Sequence, residues 1–404
     1  MNAKSVGALI AKLRKKQGLT QLDLAQKLNV SDKTISRWES GAGFPEVIQF
    51  PMLADIFGIT VDYLMTGQRK GIAVAGNILV DIVKSIDTYP EKGMLVNIND
   101  ISMAVGGCVP NTSINLAKID RSIPITVLGK IGDDEYGSYL LSRISQYGID
   151  CGKITVSPNK PTSFTDVMSE PGGERTFFHV KGANCDFSPA DIDIKALNCV
   201  ILHIGYIFLL DTFDSEDSEY GTVMARFLHD TQQAGIKTSL DMVSDSSYDY
   251  KQKVLPALKY CNYLIVNEIE SGMISGLSPY RSDGKLDTAN IEKTARFISE
   301  RGVSDKVIIH CKDAGFCYDT KSAAFTSVPS LAIPSDEIKG SVGAGDAFCA
   351  ATLYSIYNNS DDRHMLEFAS SAAACNLFAS NSVDGMRSKS EIEKIQEKYG
   401  RKKL

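Results

Sequence analysis

Residues 340–348 read GSVGAGDAF and lead straight into the apolar run CAATLYSIY. Glycine costs about 1 kcal/mol relative to alanine inside a helix, so such a cluster belongs before the helix, where the backbone turns sharply or approaches something closely. Amides at such a helix start face outward with the positive end of the dipole behind them. The pattern therefore predicts an anion hole at Gly343, Ala344 and Gly345 with one carboxylate, Asp346, beside it. That carboxylate either caps the helix electrostatically or acts as a general base toward a hydroxyl that attacks a phosphoryl group. The stretch alone leaves both open.

At 404 residues the chain exceeds the size at which one core usually stops growing, which predicts two domains or one large domain with an appendage. Its 43% hydrophobic and 23% charged residues are ordinary for a globular protein. No apolar run approaches the roughly 20 residues of a membrane helix, and MNAKSVGALIAKLRKKQG has no signal-peptide core. The expectation is a cytoplasmic protein with no membrane contact. The nine cysteines are scattered without a C-x-x-C pair, and the five histidines show no metal-ligand spacing, so any metal is expected to be hard and carboxylate-bound.

Residues 1–70 carry ten Lys and Arg against six Asp and Glu, a net +4 in a chain of net −6. A basic head on an acidic body predicts that the head meets a polyanion. Within it, Val6, Leu9, Ile10 and Leu13 recur at helical spacing, Gly18 stops that helix, and Thr20 and Ser31 stand at N-cap positions around QLDLAQKLNV. The spacing is that of a helix-turn-helix, with a helical bundle used only for protein docking as the other reading. Residues 65–71, MTGQRKG, read as the linker.

From Ile72 onward, β-branched runs such as IAVAGNILV, PITVLGKIG, CVILHIGYIFLL, YLIVNEIE and KVIIHC alternate with helix-length segments. That texture predicts a parallel sheet covered on both faces, with ligands at the carboxyl ends of its strands. TSFTDVMSEPGGERTFFHV breaks the alternation and reads as a hairpin about a Pro-Gly-Gly turn. With SIDTYPEKGMLVNINDISMAVGG it would form a small sheet flap. A Walker P-loop and a strand followed by G-x-G-x-x-G are both absent.

LTQLDLAQKLNVSDKTISRWESG resembles the phage-repressor (Xre/Cro-like) helix-turn-helix family, and LADIFGITVDYLM matches its closing helices. The resemblance implies a DNA-binding domain over 1–68. Its recognition helix would run from Asp32 to Ser40, with Asp32, Lys33, Ser36 and Arg37 toward base edges and Ile35 and Trp38 in the core, while Gln21 and nearby amides meet phosphate. A head of this charge implies dimerisation for any specific operator, hence a homodimer.

GSVGAGDAF, GGCVPNTSINLAKI (106–119) and NEIE (267–270) occur in the order seen in ribokinase-like (PfkB) carbohydrate kinases, and GKIGDDEYG (129–137) and GERTFFHVKGAN (173–184) are similar to that family too. The resemblance implies an α/β ribokinase-like sheet sandwich with a β-sheet lid over 72–404. By it, Asp346 is the catalytic base, Gly343, Ala344 and Gly345 form the anion hole, and Asp81, Gly106, Gly107 and Asn111 hold the sugar. Asn267 and Glu270 match the N-x-x-E motif for nucleotide and Mg2+. Gly340, Ser341 and Val342 stand where many relatives carry an aspartate that helps bind a monovalent cation, which leaves such a cation in doubt. HCKDAG (310–315) stands where T-L-G-x-x-G is common, so Lys312 either replaces a glycine near the phosphates or is simply solvated, and Gly315 takes the other nucleotide-contacting place.

Together these readings describe an ATP- and Mg2+-dependent kinase that phosphorylates a hydroxymethyl group of a sugar or nucleoside, fused to an operator-binding head. The rival reading is a catalytically weak sugar sensor that regulates transcription.

Overall fold

The computed structural model describes residues 2–171, 175–244 and 249–403. The chain forms two compact units, Met1–Gly71 with Asp193–Val200, and Ile72–Ile192 with Ile201–Leu404.

The first unit is built on five helices: α1 (Ala3–Lys16), α2 (Gln21–Leu28), α3 (Asp32–Glu39), α4 (Gln49–Phe57) and α5 (Val61–Thr66). Each hydroxyl expected at a helix start caps one. Thr20 accepts from the Asp23 amide in a reciprocal capping box, and Ser31 accepts from the Thr34 amide. Asn29 takes the left-handed corner between α2 and α3, a conformation asparagine tolerates. Ile10, Leu24, Leu28, Ile35, Trp38 and Leu53 are among the side chains that close the core. Asp32, Lys33, Ser36 and Arg37 remain exposed along α3, which ends at Glu39 rather than Ser40.

Two expectations for this unit change. Gln21 does not point freely outward: its amide donates to Glu39 Oε2 at 2.8 Å, because Glu39 is already fixed by Arg14 and draws in a further donor. The segment expected as a linker is partly structured. Met65 and Thr66 finish α5, Gly67 caps it, and Arg69 bonds the Leu197 carbonyl while lying 5.1 Å over the Tyr63 ring.

The second unit contains a nine-stranded sheet and a four-stranded sheet. Its elements run β1 (Ile72–Gly76), β2 (Leu79–Ile86), β3 (Ile98–Gly106), α6 (Cys108–Ile119), β4 (Ile125–Gly132), α7 (Glu135–Ser145), β5 (Asp150–Ser157), β6 (Ser163–Ser169), β7 (Arg175–Val180) and β8 (Ile201–Ile207). There follow the two-residue strands β9 (Glu216–Asp217) and β10 (Gly221–Thr222), then α8 (Val223–Gln233), β11 (Lys237–Met242), α9 (Tyr250–Lys253), α10 (Leu255–Leu258), β12 (Tyr263–Asn267) and α11 (Glu268–Ser275). The chain ends with α12 (Thr288–Glu300), β13 (Lys306–His310), β14 (Ala314–Asp319), β15 (Ala324–Pro329), α13 (Ala344–Tyr357), α14 (Asp362–Asn376) and α15 (Lys389–Lys398).

The large sheet has the order β15-β14-β13-β12-β11-β8-β1-β4-β5. Its strands pair in parallel from β13 to β5, as the buried runs predict, but β14 and β15 turn back antiparallel. The expected parallel sheet thus carries a two-stranded antiparallel edge, because the connections β13–β14 and β14–β15 hold too few residues for a crossover helix. Helix α6 packs against β1, β4 and β8, and α13 lies between α6 and α14.

IAVAGNILV, which reads as one run, is split between the two sheets. Gly76 ends β1 at φ 129°, where a Cβ would sit 1.6 Å from the Gly205 carbonyl of β8, and β2 begins three residues later in the small sheet. Asn184 pins this crossing, accepting from the Ile78 amide and donating to the Ile78 carbonyl, each at 3.0 Å. The small sheet, β3-β2-β6-β7, is the expected flap. Its β6–β7 hairpin is antiparallel, and Gly172 and Gly173 of the expected turn lie outside the described residues.

Candidate active site

Helix α13 starts where GSVGAGDAF predicts. Gly343 is its N-cap at φ 76°, and a Cβ there would lie 2.4 Å from Ser382 Cβ, so both conformation and space demand glycine. One member of the expected anion hole drops out. The Ala344 amide donates to the Ser341 carbonyl at 3.2 Å within the turn, whereas the amides of Gly343, Gly345 and Asp346 have no backbone partner among the described residues.

Asp346 is buried in the first turn of α13, and two other elements fix it. Asn111 of α6 donates from Nδ2 to Asp346 Oδ2 at 3.0 Å, and the Tyr206 hydroxyl at the end of β8 donates to Oδ1. Burial pushes the Asp346 carboxyl up to about 6, while the bonds from Tyr206 and Asn111 pull the other way. Each carboxylate oxygen keeps a further acceptor site, so the group stays able to take a proton from a third partner. Asn111 Oδ1 is buried without a partner. Asn111 sits inside α6, and its Oδ1 is open to a ligand hydroxyl.

The other residues expected on the sugar side gather at this point. Gly106 ends β3, and a Cβ on it would lie 2.4 Å from Asp81 Oδ2. Gly107, at φ 87°, starts α6 and lies under the Asn77 carbonyl, 2.7 Å from where its Cβ would stand. Glycine at both positions thus lets β2, β3 and α6 converge. Burial first and Asp346 second push the Asp81 carboxyl up to about 7, with Arg175 opposing them.

Asn267 and Glu270 form a reciprocal capping box at the start of α11. Asn267 accepts from the Glu270 amide, Glu270 Oε2 accepts from the Asn267 amide at 2.9 Å, and Ser244 donates to Glu270 Oε1 at 2.8 Å. Burial holds Glu270 above the usual carboxylate range. Asp241, in β11, is raised well above its usual range by burial, then by Glu270 and Asp346. The readings of the sequence missed Asp241 and Tyr206. The signal was present, since both are polar residues near the carboxyl ends of predicted strands.

On the other side of the α13 N-terminus lies a cavity of about 440 Å³. Leu331, Ile333, Ile338, Phe348 and Leu377 give it apolar walls, and Glu268, Lys312 and Lys402 add charge, with Ser341, Ala344 and Gly345 at the start of α13. Lys312, expected at a nucleotide-contacting place, lines this cavity. Gly315 does not line it: it lies within β14, where a Cβ would stand 3.1 Å from the Phe348 ring, so its smallness serves strand–helix packing.

A family model described as pfkB family carbohydrate kinase matches residues 70–389. The chain belongs to this family. A helix-turn-helix model matches residues 10–64 of the same kinase. The kinase is 21% identical over 332 residues to a deoxyribokinase of Salmonella typhi, covering 81% of this chain and 96% of that protein. It is 23% identical over 331 residues to a ribokinase of Schizosaccharomyces pombe, covering 80% and 96%. A solved structure of Arabidopsis thaliana ribokinase complexed with ribose and ATP superposes with TM-score 0.67 at 19% identity, covering 81% of this chain and 99% of that one. Thermotoga maritima ribokinase gives 0.66 at 19% identity, covering 81% and 99%. The kinase is ATP-dependent and takes a sugar as acceptor.

The residues present fit a hard divalent cation. Asp241, Glu270 and Asp346 are all buried, Glu270 and Asp346 both raise Asp241 electrostatically, and none of the three makes an ion pair with a lysine or arginine among the described residues. Oxygen ligands of this kind suit a cation that keeps part of its hydration shell.

Proposed function

We propose that Asp346 is the general base of phosphoryl transfer from ATP to a sugar hydroxymethyl group. The observation that carries this reading is one buried carboxyl, oriented from both sides by Tyr206 and Asn111 and placed in the same helical turn as two unpaired amides. Asp346 takes the hydroxyl proton as that oxygen attacks the γ-phosphorus. The Gly345 and Asp346 amides, with the helix dipole behind them, stabilise charge on the transferring group. Asp81 and Asn111 hold acceptor hydroxyls, and Gly106 and Gly107 let the backbone approach. The apolar cavity beside Lys312 takes the nucleotide. Asp241 and Glu270 would hold Mg2+, in part through water, and the cation would neutralise phosphate charge. Asp346→Asn should bind ATP like the parent but turn over about 100-fold slower. Near-parental turnover would remove Asp346 from the chemistry.

The head is proposed to read operator DNA. Its support is the exposed row Asp32, Lys33, Ser36 and Arg37 on a helix whose other face, Ile35 and Trp38, is buried. Lys33 and Arg37 read bases. Gln21, oriented by Glu39, contributes to phosphate binding through its remaining amide hydrogen. Binding should weaken steeply with salt, and Arg37→Ala should reduce discrimination between operator and random DNA. Salt-independent binding, or none to any upstream fragment, would favour protein docking instead.

A homodimer is proposed to bring two heads to one operator. The apolar outer row of the lid, Ile101, Met103 and Phe178, is exposed and supports pairing through that face. Light scattering that reports a monomer at micromolar concentration would remove this part.

A further inference from the structure

His203 is wholly buried in β8 between Leu202 and Ile204, and the reaction described above makes no use of it. Its Nδ1 lies 3.0 Å from Ser239 Oγ on β11, and its Nε2 lies 3.5 Å from Cys349 Sγ on α13. Strand register makes the first contact, since His203 pairs directly with Ser239. With the Nδ1 proton donated to Ser239, Nε2 is the acceptor of the ring, and a thiol is a weak donor to it. A buried imidazole nitrogen is thus left with a poor partner.

Asp241 completes a cluster. The ligand atoms of His203, Asp241 and Cys349 all lie within 4.8 Å of one another, and the three residues are 0%, 8% and 1% exposed, so little water competes for them. Asp241 Oδ1 accepts from the Met242 amide at 2.7 Å, and its carboxylate pairs with no lysine or arginine among the described residues. A tetrahedral zinc ion, with ligand distances of roughly 2.0–2.3 Å, holds its ligands roughly 3.3–3.8 Å apart. The His203–Cys349 separation already falls in that range, and the others need only a small adjustment of side chains. Imidazole nitrogen, sulfur and carboxylate oxygen together select a zinc-class ion over magnesium, which prefers oxygen alone. Ser239 supplies the outer partner that fixes the tautomer of a ligating histidine. Cys108, the other buried thiol whose charge acts on Cys349, lies outside the set of ligand atoms that meet.

We propose that His203, Asp241 and Cys349 form a site for a thiophilic divalent cation of the zinc class, and that filling it takes Asp241 from Mg2+ and slows phosphoryl transfer. The binding is independent of the kinase reading, and the slowing rests on it. On binding, the Cys349 proton passes to solvent, the sulfur and His203 Nε2 donate lone pairs to the ion, Asp241 adds its carboxylate, and water holds the fourth position. The ion enters from the Mg2+ side, since Asp241 is the ligand on which Glu270 and Asp346 act.

Co2+ is the probe, because it adopts the geometry of zinc and is coloured. In the full-length protein, reduced with a phosphine and free of Mg2+, a single equivalent should give a sulfur-to-cobalt charge-transfer band and visible bands of tetrahedral intensity, both abolished by Zn2+. Cys349→Ala should lose the charge-transfer band, and Cys108→Ala should keep it. Ser239→Ala leaves all three ligands in place and should weaken Co2+ binding about tenfold or more, the scale on which an outer partner acts. In ATP turnover with whichever sugar the protein phosphorylates, Zn2+ should inhibit the parent in competition with Mg2+, and Cys349→Ala should need at least about tenfold more Zn2+ for the same inhibition. Absence of the charge-transfer band in the parent overturns the site, as does its survival in Cys349→Ala. Bands of octahedral intensity alone, which would put the metal at Asp241 and Glu270, overturn it too. Should Cys349→Ala fail to fold, unchanged Co2+ affinity in Ser239→Ala overturns the site. Equal zinc inhibition of parent and Cys349→Ala overturns the coupling to phosphoryl transfer. The spectra need no acceptor, so failure of the metal site and failure of the kinase reading are separately visible.

Discussion

Asn111 Nδ2 donates to Asp346 Oδ2 across 3.0 Å and joins the first turns of two helices, α6 and α13, that lie 235 residues apart in sequence. The bond sets both the direction of the base and its acidity. Burial raises the Asp346 carboxyl to about 6, and without the donors from Tyr206 and Asn111 it would stand higher. Activity should therefore rise with pH through a limb near 6 as Asp346 loses its proton. Tyr206→Phe should move that limb upward. A pH profile of kcat/KM for the variant that overlays the parent's would separate Tyr206 from the base.

Asn111→Ala removes the same kind of donor and also the free Oδ1. It should shift the limb in the same direction and, unlike Tyr206→Phe, raise KM for the acceptor by about tenfold, the worth of one hydrogen bond. Steady-state kinetics on both variants checks the contrast.

The site also shapes stability against pH. Asp81 is held at about 7 and Asp346 at about 6, both far above their values in an unfolded chain. Between those limits the folded state binds more protons than the unfolded one, so stability should fall as pH rises from about 4 to about 7. Carboxylates lowered by lysine partners, such as Asp319, act at lower pH; His203 and His310, lowered by burial to about 3 and about 4, oppose the trend, and Asp214 and Glu270, raised by burial to about 7, add to it. Denaturant midpoints at pH 5 and 7.5 measure the slope, and Asp346→Asn should flatten it.

Gly343→Ala meets two obstacles at once, a left-handed backbone and the Ser382 side chain. It should cost about 2 kcal/mol or more and weaken ATP binding, because the anion-hole amides turn with the backbone. Equilibrium unfolding together with ATP titration reads both effects.

In the head, Arg14 Nε and Glu39 Oε1 lie 2.5 Å apart with side-chain exposures of 9% and 8%. Removing one partner of such a pair leaves the other charged and poorly solvated, so Arg14→Met should destabilise the helical unit by about 3 kcal/mol. Loss of the low-temperature melting step, with kinase activity retained at 25 °C, is the expected result.

Local chemistry was legible in the sequence. Thr20 and Ser31 declared helix starts, Asn29 a corner, and GSVGAGDAF a glycine turn before a helix, because capping and turn geometry depend on residues within four positions of one another. Motif order carried the family and the lid for the same reason. What depended on which distant segments meet was decided by the tertiary structure. Asp241 and Tyr206 come close to Asp346 only because β11 and β8 lie beside each other in the sheet, and Gly315 packs against Phe348 instead of lining the cavity. The Ala344 amide was consumed by a turn that the letters GSVGAG do not specify. Arg175 reads in sequence as one charge in a hairpin. Strand pairing alone put it on the face of Asp81, since a shift of one residue in register would have turned it to the other side of the lid.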